Sequence, residues 1–125
     1  MKTFLRGALF VALMSTSALA HHGNAAFDVG KTLELKGTVT EWIWANPHCW
    51  LKFDVTTNGK AVNWVVEATN SADLMERGWS RLLFKPGDSV TVALEPVKSG
   101  APVGRVRSIT LANGKVVGTN YIQRP

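Results

Sequence analysis

The fold class predicted by the sequence is all-β with one short helix, an OB-like small barrel of five to six strands. Three observations predict it. From Thr32 onward, apolar residues alternate with polar ones in short runs instead of recurring at helical spacing. Turn-forming stretches at Asn58-Gly59, Pro86-Gly87-Asp88 and Asn113-Gly114 separate those runs. The order is three strands, a short helix, then two strands, which is the order of a five-stranded, partly open Greek-key barrel. Another small β-barrel or sandwich is the alternative.

Residues 1–20 read as a signal peptide placed ahead of that domain. Lys2 and Arg6 make a charged start, Gly7 to Met14 an apolar middle, and Ala18-Leu19-Ala20 a small-residue cleavage site. The apolar run is shorter than the about 20 residues a bilayer-spanning helix needs. The processed chain, residues 21–125, is therefore expected to have no membrane span and to be periplasmic or secreted. No cysteine follows the cleavage site to take a lipid. Residues 21–31 form an irregular arm, with Phe27 as the large apolar residue able to pin it down.

The first strand starts at Thr32. Strict alternation puts Leu35, Val39 and Ile43 on the core side, and Lys36, Thr38, Thr40, Trp42 and Trp44 on the other. Gly37 in mid-strand marks a bulge or a sharp bend. Asn46-Pro47 interrupts, because proline has no N–H to give to a ladder. In the second strand, His48 to Thr56, Cys49, Leu51, Phe53 and Val55 face the core while His48, Trp50, Lys52 and Asp54 face away. Asn58-Gly59 turns the chain into a third strand, Ala61 to Ala68, which carries Trp64, Val66 and Glu67. Asn70 or Ser71 caps a short helix, Ala72 to Arg77, and Gly78 stops it. Trp79 and Leu82-Leu83-Phe84 plug one end of the core. The fourth strand is Ser89 to Leu94 and the fifth Val103 to Leu111, with a short sixth piece at Val116-Val117.

Composition narrows the function classes. The chain has 125 residues and a formal net charge of +5, of which Lys2 and Arg6 leave with the signal peptide. The remaining basic residues are spread along the chain as solvated strand faces. No concentrated stripe suggests nucleic acid, and none is expected as a partner. The single cysteine, Cys49, excludes an intramolecular disulfide and a thiolate zinc cluster. It reads as a small buried apolar residue.

The chemistry concentrates at the histidines. Cleavage after Ala20 makes His21 the first residue, so its free amine and imidazole can chelate one metal ion together, with His22 directly behind. Model amine and imidazole groups titrate near 8 and 6.5, which leaves both available at neutral pH. Nitrogen ligands in a plane favour Cu(II), and copper heads the divalent affinity order. In one mode His48 supplies a third nitrogen, completing a histidine brace. In the other, the amine and the backbone and ring nitrogens of His22 suffice, without a folded protein. Glu67 and Asn46 are candidate supporting residues for a histidine ligand. A second constellation is Trp42, Trp44 and Trp50, which alternation places on one outward face able to stack on a glycan or grip a peptide or protein. No catalytic constellation is present. His48 and Cys49 leave the strand on opposite faces, and no phosphate loop, nucleophile elbow or zinc-protease motif occurs. Glu41 and Glu67 can meet only if strand packing brings them together.

Several motifs resemble those of a family of small exported bacterial proteins of unknown function. They are Ala20-His21-His22, Phe27-Asp28, Gly37-x-Val39, Trp44-x-Asn46-Pro47-His48, Gly78-Trp79, Lys85-Pro86-Gly87-Asp88 and Leu111-Ala112-Asn113-Gly114. Members usually read His-His-Ser where this chain has His21-His22-Gly23. The resemblance implies a periplasmic location and a small β-rich domain, and brings no activity. The function expected from the residues is periplasmic binding of a metal, copper first, through His21, His22 and His48, with delivery to a periplasmic protein partner in view. The alternative is a binding module built on the tryptophan face.

Overall fold

The computed structural model of the chain describes residues 24–119. Residues 1–20, expected as a signal peptide, and His21 and His22 lie outside the described residues. The described residues form six strands: β1 (Leu33–Ile43), β2 (Trp50–Thr57), β3 (Lys60–Glu67), β4 (Ser89–Pro96), β5 (Val103–Leu111) and β6 (Val116–Gly118). The helix α1 (Ser71–Glu76) lies between β3 and β4, and a 3-10 turn covers Asn24–Ala26. The sheet order is β3-β2-β1-β4-β5-β6, and β3 also pairs in parallel with β5, Val66 opposite Gly104. That pairing closes a five-stranded barrel of the expected OB-like class, to which β6 adds an extra strand. The barrel is filled by side chains of no measurable exposure, among them Leu51, Phe53, Val66, Val92, Leu94, Val106 and Ile109. Each such residue contributes about 1.5–3 kcal/mol by leaving water.

Two glycines permit closure. At Gly37 a Cβ would collide with the Asp54 carbonyl and the Phe53 ring, so the residue lets β2 approach closely. Here β1 changes partners, pairing with β4 up to Thr38 and with β2 from Thr38 onward. At Gly104 a Cβ would lie 2.6 Å from Leu94 Cδ1 and 2.7 Å from the Glu95 carbonyl oxygen. This is the point where β5 is held between β4 and β3. Gly37 is thus the bend, and the bulge lies elsewhere. The register steps from Val39↔Phe53 to Glu41↔Lys52, which leaves Thr40 as an extra residue.

The Thr40 bulge corrects the inside–outside reading of the strand's second half. One inserted residue reverses the parity of everything after it. Trp42 now lies opposite the fully buried Leu51, and Ile43 lies opposite Trp50. Val39 is core as expected and Leu35 packs against the core, whereas Ile43 is outside it. The far end of the barrel is closed by Leu74 of α1, Trp79 and Phe84, with Leu83 against them. Leu82, expected in the same plug, is 88% exposed.

The arm folds back on the outside of the barrel. Phe27 makes an isolated antiparallel bridge with Val97. Asp28 N–H donates to the Pro96 carbonyl at 2.9 Å and Lys98 N–H to the Ala26 carbonyl at 3.0 Å. Phe27 is 2% exposed, yet it lies outside the barrel core, with the Arg105 guanidinium 4.7 Å from its ring centre. Beneath it Glu95 is fully buried. Its carboxylate accepts from Arg105 Nε at 2.9 Å and pairs with Arg107 as well. These two arginines, expected as solvated strand surface, are held against a carboxylate instead. A buried charge needs such partners, because an unpaired one costs several kcal/mol.

Candidate functional site

His48 stands at the mouth of β2. Its neighbours are already in extended pairing, with Cys49 N–H donating to the Thr69 carbonyl at 3.1 Å and Ala68 N–H to the Cys49 carbonyl at 2.8 Å. Alternation then directs Cys49 inward and His48 and Trp50 outward, as the sequence implies. Cys49 is fully buried and its thiol donates to the Ala45 carbonyl at 3.3 Å. Burial pushes its pKa up, against a smaller lowering by that hydrogen bond. It is a core residue.

The His48 ring is held from one side. Nδ1 lies 3.3 Å from the Ala68 carbonyl oxygen and 3.4 Å from Glu67 Oε1. Both are acceptors, so the neutral ring carries its proton on Nδ1 and presents the lone pair of Nε2. Nε2 has no hydrogen-bond partner among the described residues. The side chain is 41% exposed, while that of Glu67 is 17% exposed. Histidines that bind metal are commonly oriented by such a carboxylate and carbonyl behind the ring.

Glu67 faces Trp50 directly across β2 and β3. The Trp50 ring centre is 6.3 Å from that of His48 at an interplanar angle of 67°. Trp50 and Glu67 form one wall of a cavity of about 460 Å³, and the opposite walls are the arm at residues 25–27 and the β4–β5 loop from Val97 to Val103. The arm therefore ends its described course on the cavity that the neighbours of His48 line. Four peptide units separate His21 from Ala25, a span of at most about 14 Å.

The other predicted site residues go elsewhere. Asn46 makes no hydrogen bond to His48. Its Oδ1 accepts from Ser71 N–H at 3.1 Å and from Ser71 Oγ at 3.0 Å, tying the β1–β2 connection to the start of α1. Glu41 pairs with Lys52 at 2.7 Å and is not brought to Glu67. Trp42, Trp44 and Trp50 do not share a face. Trp42 lies 5.8 Å from Trp44, 5.9 Å from Trp79 and 5.1 Å from Phe84, ring centre to ring centre, and both Trp42 and Trp44 pack against the core. Trp50 is on the other side of the sheet. The bulge at Thr40 is the reason.

Among the described residues, no three histidine, cysteine or carboxylate side chains gather at one point. A three-ligand centre that included His48 would need at least one ligand from outside residues 24–119. Sequence reading missed the Glu95–Arg105–Arg107 cluster under the arm. The signal was there: Glu95 is the one acid in the apolar run Val92–Val97, and Arg105 and Arg107 fall on one face of the next strand.

The sequence matches, over residues 9–107, the model of a family of unknown function, DUF6152. No curated protein matches it.

Proposed function

The chain belongs to the DUF6152 family, which carries no activity with it, and from its own residues we propose that it is an exported copper-binding protein. The processed N-terminus at His21 supplies amine and imidazole, His22 stands behind, and His48 supplies a third nitrogen from the barrel. One observation carries the reading. His48 has its Nδ1 held by Glu67 and the Ala68 carbonyl, which leaves Nε2 free for a metal, and its neighbours Trp50 and Glu67 line a cavity together with the arm. Three nitrogens in a plane suit Cu(II), and handling or delivery of the ion asks nothing of the protein beyond such a site. The acceptor of the copper would be another periplasmic protein.

The test is calorimetric titration of Cu(II) into chain beginning at His21. The expected result is one site whose affinity falls at least about tenfold, or about 1.4 kcal/mol, in His48→Ala. Chain that keeps one extra residue before His21 should lose more, because its amine is no longer next to the ring. Equal affinity in His48→Ala and parent would overturn the shared site and leave only terminal chelation.

A further inference from the structure

The cavity beside His48 has a chemistry of its own. Its walls are mostly apolar: Ala25 and Phe27 from the arm, Trp50 from β2, Val97 and Ala101 from the loop. At about 460 Å³ it falls within the range of small-molecule sites, which are apolar with a few placed polar groups. Of its polar lining residues Lys98, Ser99 and Glu67, the least exposed is Glu67. Its Oε1 is turned to His48, while its other oxygen has no hydrogen-bond or ion-pair partner among the described residues. A carboxylate 17% exposed, with one oxygen open to the solvent that fills a mostly apolar recess, favours a cation that brings its own apolar cover. Trp50 adds an indole beside Glu67 as its cross-strand partner on the same wall, and indole is the best of the aromatic rings at attracting a positive charge. Lys98 belongs to the same rim, but its side chain is exposed and its charge is screened by water.

We infer that this cavity is a binding site for a small organic amine, a cationic head on an aromatic or aliphatic body, with the head on Glu67 and the body between Trp50, Phe27 and the β4–β5 loop. The inference stands apart from the copper reading, since it uses neither His21 nor a metal.

The experiment follows the amide, indole and methyl NMR signals of the processed chain, with EDTA present throughout. The probes are 2-phenylethylamine, 2-phenylethanol and 3-phenylpropionate, which share a body and differ in the charge of the head. The amine should shift Ala25, Trp50 and Ala101 and bind at least about tenfold tighter than the alcohol or the acid. Glu67→Gln should remove that margin and leave the alcohol unchanged. Ala101→Phe, at an exposed loop position, should fill the cavity and block every probe. The proposal is overturned if no probe shifts these residues at millimolar concentration, which is also the outcome if chain upstream of Asn24 occupies the cavity. It is equally overturned if the acid binds as well as the amine, or if Glu67→Gln keeps the margin. A failed copper titration leaves all of these outcomes unchanged.

Discussion

At the scale of single residues, orientation matters more than identity. A histidine alone is a weak indicator, but His48 has its Nδ1 between a carbonyl and a carboxylate, at 3.3 and 3.4 Å. Glu67→Gln keeps the shape and removes the charged acceptor. It should weaken Cu(II) binding by about tenfold or more with little change in melting temperature, read by calorimetry and thermal unfolding side by side. Trp42 shows the opposite case. Its ring is enclosed by Trp44, Trp79 and Phe84, and its Nε1–H donates to the Ser80 carbonyl at 3.2 Å. Trp42→Ala should cost about 3–5 kcal/mol of stability in a denaturant titration, the loss expected of a core aromatic. A loss under about 1 kcal/mol would mean the ring is a surface platform after all.

At the scale of elements, the arm and the β-turn before β4 show how loops are held. Phe27 covers Arg105 and is bracketed by backbone hydrogen bonds on either side. Phe27→Ala should therefore lower stability by about 3 kcal/mol and also weaken Cu(II) binding, because a loosened arm must be ordered again when the metal binds. Copper affinity unchanged in Phe27→Ala would show that the arm does not position the terminus. The turn Lys85-Pro86-Gly87-Asp88 has its glycine at φ 94°, and the Asp88 carboxylate accepts from Lys85 N–H at 3.0 Å and pairs with Lys85 Nζ at 2.9 Å. These contacts hold the Asp88 carboxyl below the usual carboxylate range, the side-chain hydrogen bond to Lys85 first. A depressed native pKa stabilises the fold at pH above the unfolded value of about 4, and that contribution is lost as pH falls through the native value. Asp88→Asn should flatten the acid limb of the stability–pH curve and leave its shape above pH about 6 unchanged.

At the scale of the whole molecule, closure of the barrel depends on β5 lying between β4 and β3 without a side chain at Gly104. Gly104→Ala should push against Leu94 and the Glu95 backbone, at 2.6 and 2.7 Å from the new carbon. Overpacking of this kind costs about 1–3 kcal/mol, or a fall of at least about 4 °C in melting temperature for a domain of this size. The same closure carries Glu67 on β3 to the level of Arg105 on β5. It therefore builds the cavity wall from strands far apart in sequence.

The chain's order of strands, its turns and most of its core are properties of the sequence by itself. Alternation in β2, the Asn58-Gly59 hairpin with φ of 52° and 75°, and Asn70 as the cap of α1 are local matters of sterics and short-range hydrogen bonding. So is the opposition of His48 and Cys49, which follows from the pleat. Tertiary structure alone decided the rest. Whether a strand keeps strict alternation depends on its register with a partner, and Thr40 adds one residue against β2, exchanging Ile43 for Trp42 in the interior. Whether Arg105 is solvated depends on what covers it, and that is Phe27 on an arm more than sixty residues upstream. Asn46 finds Ser71 and not His48 because the β1–β2 connection meets α1 only once the barrel has closed. A period of two shows which residues share a face; only packing between distant segments determines which face meets water.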